Sequence, residues 1–115
     1  MSINGDISCQ TCHLDRFGSA DGIPNAVGVG GEGEGADRIL KGGAILPRNT
    51  LPLWGRALPE FRTFFWDGRV DFSGGKKISQ FGEQVPTDDP RLIAIHLPVV
   101  EIREMLTEDK FVAEK

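Results

Sequence analysis

The apolar positions of this chain keep a helical rhythm in only a few places, and the clearest of them lies toward the C-terminus. Leu92, Ile93, Ile95 and Leu97 follow Asp88-Asp89-Pro90, and an acid at the cap with Pro at the first helical position is a strong helix start. Pro98 is expected to end or bend that helix, because it has no N–H to donate. Glu101 to Leu106 reads as one more helical turn, and Thr107-Glu108-Asp109 as the cap of a final helix. Upstream, Ile7 to about Leu14 reads as a short helical turn, and Asn49 or Thr50 as the N-cap of a helix through Leu53 and Trp54. Phe61 to Trp66 is an aromatic run closed by a turn at Asp67-Gly68; core packing is the expected role of Phe61 and Phe64.

From Asp15 to about Leu46 no periodicity survives. Asp21-Gly22 and Pro24-Asn25 mark turns, and the run from Gly28 to Gly35 reads as the most flexible piece of the chain. It is not a phosphate loop: no Gly-Lys-Ser/Thr follows it, no strand precedes it, and its acids would repel phosphate. A long irregular segment in a small domain is usually functional or wraps something. Here it is expected to wrap a bound group.

Composition points the same way. The 115 residues fit one domain, but 15 Gly and 7 Pro leave much of it as loop. Such a chain is poorly supplied for a protein-only core, and a large apolar cofactor would give its 7 Phe and 2 Trp something to pack around. A net charge of -4 argues against nucleic acid, and no run of apolar residues is long enough to span a bilayer.

The chemistry that fits this deficit is concentrated at Cys9-Gln10-Thr11-Cys12-His13. C-x-x-C-H is the attachment signature of a c-type haem. Two thiols must reach the two vinyl groups on one edge of a porphyrin, and the next side chain must turn under the ring to bind iron, so Cys9 and Cys12 are read as haem anchors and His13 as the proximal iron ligand. A structural zinc site from Cys9, Cys12 and His96 is disfavoured, since adjacent Cys12 and His13 cannot easily serve one ion and no second ligand pair has zinc spacing. A thioredoxin-like dithiol is disfavoured too, because no βαβ pattern surrounds the motif. Attachment of haem to C-x-x-C-H usually takes place outside the reducing cytoplasm, so a periplasmic location is expected. Met-Ser-Ile-Asn-Gly has neither the basic nor the apolar region of an export signal, and the reading is that a leader was removed.

Taken in order, Ile7-Ser8-Cys9-Gln10-Thr11-Cys12-His13, Asp21-Gly22-Ile23-Pro24, the Gly-rich loop, Arg48-Asn49-Thr50, Phe65-Trp66-Asp67-Gly68-Arg69 and the later pair Glu104-Met105, separated from Pro98 by five residues, carry a resemblance. The sequence is similar to the N-terminal haem domain of the bacterial di-haem cytochrome c peroxidase and MauG-like family, over roughly residues 5 to 106. The resemblance implies a mainly α, cytochrome c-like haem domain with short helices and long Gly-rich loops around a covalent haem. It implies residues 1–115 as a single such domain, one half of a two-haem-domain enzyme that reduces hydrogen peroxide. Electrons would come from a second haem domain or subunit, or from a small donor protein. Trp66 would bridge the two haems, a role compatible with core packing. Glu104 would project into the distal pocket and move a proton while peroxide is cleaved, and Asn49 would help bind calcium between two haem domains. Arg48 and Arg69 can pair with haem propionates as planar donors or face water.

Two positions depart from the family pattern. Where many members carry a His that caps the iron at rest, this chain has Val29, which cannot ligate, so the iron is expected to be open. Where the family often places a distal Gln, this chain has Ala94. His96 and Met105 are the candidate sixth ligands; His96 reads better as a half-buried helix histidine, because two residues along a helix from Ala94 it points to another face. With either of them on the iron, the chain would be a mono-haem electron-transfer cytochrome without peroxidase activity.

Overall fold

Where a chain lacks long helices or strands, its loop amides and carbonyls still need partners. Here buried side chains supply many of them. A computed structural model describes residues 2, 5–42, 44–82, 84–101 and 103–105. The chain forms two compact units, Met1–Trp54 with Pro98–Lys115, and Gly55–Leu97.

The mainly α expectation is not met. Among the described residues the α-helices are α1 (Cys9–Cys12) and α2 (Pro90–Val100), with 3₁₀ turns at Asp15–Phe17 and Gly35–Asp37 and a two-stranded antiparallel sheet of β1 (Thr63–Phe64) and β2 (Val70–Asp71). The cause is local: between α1 and α2, Gly and Pro interrupt the chain and apolar residues do not recur on one helical face. The helix expected from Asn49 or Thr50 through Trp54 is likewise absent. Pro52 keeps Leu51 out of the α region, and the amides that a helix would use are taken elsewhere. Thr50 N–H donates to Asp21 Oδ2 (3.2 Å), while Leu53 and Trp54 N–H donate to Ser19 Oγ (2.7 and 2.9 Å).

Unit Gly55–Leu97 has an ordinary apolar core. Phe64, Val70, Phe72, Ile93 and Ala94 are buried together, with Phe61, Phe65, Val85 and Leu97 packed around them. Phe61 meets Phe64 edge-on, ring centroids 5.4 Å apart, as core packing of these two requires. β1 and β2 pair Thr63 with Asp71 and Phe64 with Val70. The loop between them turns at Phe65 (φ +66°) and Gly68 (φ +67°); the first is a costly conformation for an aromatic residue. Across that loop Arg69 grips Asp67, Nη2 to Oδ2 at 2.7 Å and Nε to Oδ1 at 3.0 Å.

α2 starts as its sequence dictates. Pro90 is the first helical residue, and Asp89 Oδ1 accepts the Arg91 N–H at 2.9 Å, the N-cap bond. Pro90, Ile93 and Ala94 are its buried residues, whereas Leu92 and Ile95 are exposed. The helix does not end at Pro98 but continues to Val100. The Glu104 and Met105 amides then both donate to Glu101 O (3.0 and 3.2 Å), giving the expected single turn; the cap at Thr107-Glu108-Asp109 lies outside the described residues.

Two measurements check these packing and charge assignments. Ile93→Ala should lower the denaturation free energy by about 3 kcal/mol, read from urea unfolding, since Ile93 is 1% exposed. The Arg69 guanidinium holds the Asp67 carboxyl down at about 2, from an ordinary 3.8. A depressed carboxyl stabilises above its unfolded pKa and ceases to as the pH falls through its folded one. The Asp67–Arg69 grip should therefore be intact above pH 3.8 and lost near pH 2. Carboxyl-carbon NMR should show that midpoint, and Arg69→Gln should move it back toward the ordinary value.

Candidate functional site

α1 is a single turn, and its shape follows from its sequence. Ser8 N–H donates to Thr11 Oγ1 at 3.0 Å, one arm of a capping box. His13 N–H closes the turn on Cys9 O at 2.9 Å. Cys9 and Cys12, three residues apart, share one face; both are free thiols, Cys9 exposed and Cys12 half-buried. His13 leaves the helix at the C-cap with φ -110° and ψ 84°. Its Nδ1 lies 2.8 Å from Ser19 O. A carbonyl only accepts, so this contact places the proton on Nδ1 and leaves the Nε2 lone pair for another partner. Two free thiols on one turn and an imidazole so oriented form the donor set that an attached haem requires, with the carbonyl as the outer partner that fixes the ring. The residues fit the group.

The Gly-rich run is not the flexible piece that its composition indicates. Arg38, 6% exposed, donates Nε to Val27 O (2.7 Å), Nη1 to Gly33 O (2.8 Å) and Nη2 to Gly28 O (2.8 Å). Glu32 and Ile39 exchange backbone bonds at 3.1 and 2.8 Å, closing the loop over that guanidinium. On its other side, Gly28 N–H donates to Ala44 O (2.7 Å) and Val29 N–H to Arg103 O (3.1 Å). A Cβ at Gly28 would overlap the Arg103 carbonyl, so glycine is what lets the loop reach the turn carrying Glu104.

This brings several expected site residues into one unit. Cys9, Cys12, His13, Arg48, Asn49, Glu104 and Met105 all belong to Met1–Trp54 with Pro98–Lys115. Burial pushes the Cys12 thiol up; the Arg38 guanidinium opposes that, the Asp21 and Glu104 carboxylates add to it, and a Thr50 hydrogen bond opposes it. Glu104 is thus within electrostatic reach of the C-x-x-C-H turn. Arg48 is exposed and Asn49 half-buried, while Met105 is buried. Among the described residues no three His, Cys, Asp or Glu side chains gather around a metal position.

Trp66, Arg69 and His96 belong to the other unit. Trp66, on the β1–β2 loop, is 57% exposed and is therefore not the core aromatic that the sequence allowed. Arg69 is held by Asp67 instead of simply facing water. His96 is half-buried, its ring 5.1 Å from that of Phe81 and its Nδ1 3.4 Å from Gln80 Nε2. Ala94 is buried in the core, so the two do face differently.

The model of the family described as di-haem cytochrome c peroxidase matches residues 1–114. The chain belongs to the di-haem cytochrome c peroxidase family. Membership carries a haem-based redox role. One curated relative is the methylamine utilization protein MauG of Methylorubrum extorquens, 37% identical over 75 residues; the match takes in 62% of this chain and 16% of the relative. The chain thus spans a small part of that relative's length. No solved structure matches it, and among the described residues no helix is long and apolar enough to cross a membrane.

Sequence reasoning missed Arg38, Ser19 and the packing role of Asp21. Asp21 lay in a motif read as a turn, and it does accept the Ile23 amide at 3.3 Å; its second oxygen, on Thr50 N–H, had no local signal. Arg38→Met should cost about 3 kcal/mol or more in stability, because three carbonyls lose a charged donor and two of those bonds are fully buried. Urea unfolding checks this, and a change below about 1 kcal/mol would contradict the role given to Arg38.

Proposed function

We propose that this chain is a haem c domain that reduces hydrogen peroxide, using electrons from a second haem domain or subunit or a small donor protein. The observation that carries the reading is the His13 Nδ1 to Ser19 O contact at 2.8 Å beside two free thiols on one turn. The sparse apolar core of this unit supports it. Among the described residues its buried apolar side chains are Ile7, Ala26, Val27 and Met105, while Phe17, Ile39, Leu40, Ile45, Leu53 and Trp54 are exposed. A porphyrin would cover apolar surface that the chain alone leaves in water.

In this reading Cys9 and Cys12 would hold the haem through thioethers and His13 would hold its iron through Nε2. A haem c, when bound, supplies the redox-active iron and the path for electrons. Glu104 takes the proton from the near oxygen of peroxide and gives it to the far oxygen, so that two electrons and two further protons make two waters. Val29 offers the iron no ligand. Trp66, exposed on a loop held by the Asp67–Arg69 grip, would be the residue that conducts electrons. Arg48 and Arg69 are candidates for the propionates, Asn49 for a calcium ion, and the periplasm is the compartment where attachment is expected.

The runner-up is an electron-carrying cytochrome with Met105 on the iron, kept because Met105 is buried in the unit that holds His13. Expression with a haem-attachment system followed by intact-mass measurement should add one covalent haem, and Cys9→Ala with Cys12→Ala should abolish it. Glu104→Gln should slow the reaction with hydrogen peroxide about a hundredfold or more with the haem still attached. An unchanged rate would remove Glu104 from the mechanism, and a parent protein inert to peroxide would favour the electron carrier.

A further inference from the structure

We propose that Ser19 is the positioning residue for the His13 imidazole, bracing it against the Leu53–Trp54 backbone through its hydroxyl; the inference rests on the haem reading above. Ser19 is 4% exposed and every polar atom it has is engaged. Its N–H donates to Leu14 O at 2.9 Å, and its carbonyl accepts from His13 Nδ1 at 2.8 Å. Its hydroxyl donates to Gly18 O at 2.6 Å and accepts the amides of Leu53 and Trp54 at 2.7 and 2.9 Å.

The backbone says why this is more than a turn. Ser19 has φ +62° directly after Gly18 at φ +64°, a conformation that a residue with a Cβ rarely adopts and that glycine takes freely. A serine held there is strained, and the feature that distinguishes it from glycine is the hydroxyl that ties two distant amides to this turn. Those amides lie 34 and 35 residues away in sequence, so the brace fixes the carbonyl from a direction that the turn alone cannot. The basicity of the imidazole follows: a firm Nδ1–H to carbonyl bond makes Nε2 a stronger donor, which would favour ferric iron.

The test uses the haem-loaded protein and the variants Ser19→Gly and Ser19→Ala. Glycine keeps the carbonyl and relieves the strain while removing the hydroxyl; alanine removes the hydroxyl and keeps the strain. Both should lower the iron–histidine stretching frequency in resonance Raman spectra of the ferrous protein and shift the midpoint potential upward, and both should speed hydrogen exchange at the Leu53 and Trp54 amides. Parent values in Ser19→Gly overturn the proposal, as does a shift in Ser19→Gly with parent values in Ser19→Ala, since backbone relief would then be the cause. Should the parent chain take up no covalent haem, the haem reading falls. The brace is then decided on the haem-free chain by the nitrogen-15 shift of His13 Nδ1, which should move in both variants and overturns the proposal if it does not.

Discussion

The Arg38 guanidinium, buried and donating to the carbonyls of Val27, Gly28 and Gly33, is the contact on which the rest of its unit depends. A glycine-rich segment has no side chains with which to build a core, so its carbonyls must be satisfied from elsewhere or stay in water. One planar cation with several fixed donors does this for three of them at once. Once the loop is held, Val29 N–H can meet Arg103 O and the turn carrying Glu104 is set. Among the described residues the buried side chains of this unit are polar more often than apolar: Ser2, Thr11, Ser19, Asp21 and Arg38 beside Ile7, Ala26, Val27 and Met105. Unit Gly55–Leu97, by contrast, rests on Phe64, Val70, Phe72 and Ile93.

That difference bears on function. A unit framed by directional polar contacts can keep its shape while leaving apolar side chains for a cofactor, and its fixed carbonyls and amides can orient a ligand more finely than dispersion contacts can. Ser19 and Asp21 do for the 50–54 segment what Arg38 does for the Gly-rich loop. They take up its amides, so no helix is needed there, and the same residues border the C-x-x-C-H turn. On this account Glu104 owes its place to a loop of glycines and one arginine that lie outside the C-x-x-C-H motif itself.

What the sequence made legible was what depends on neighbours a few residues apart. The Cys9–His13 turn, the Asp89-Pro90 start of α2, the Asp67-Gly68 turn and the Phe61–Phe64 contact were all within such reach. The mainly α expectation, which the resemblance supplied, failed because Gly and Pro interrupt the chain between α1 and α2, and the helix read from a cap at Asn49 or Thr50 failed at Pro52. The 49–54 segment could not be read because its partners, Asp21 and Ser19, are about thirty residues away. Arg38 is a lone cation between Asp37 and Ile39, and nothing local separates it from a surface arginine; Trp66 sat in an aromatic run whose neighbours are core, and only the hairpin puts it outside. Cys9, Cys12 and His13 stood out in the sequence because haem attachment demands that spacing.

The central claim is that His13 is the only side chain of this chain bound to the iron, leaving its other face to peroxide. Electron paramagnetic resonance of the ferric haem-loaded protein at neutral pH tests it most directly. The account predicts an axial high-spin signal that Met105→Leu and His96→Ala leave unchanged. A low-spin signal in the parent that either substitution converts to high spin would contradict it, because a second protein ligand would then close the site.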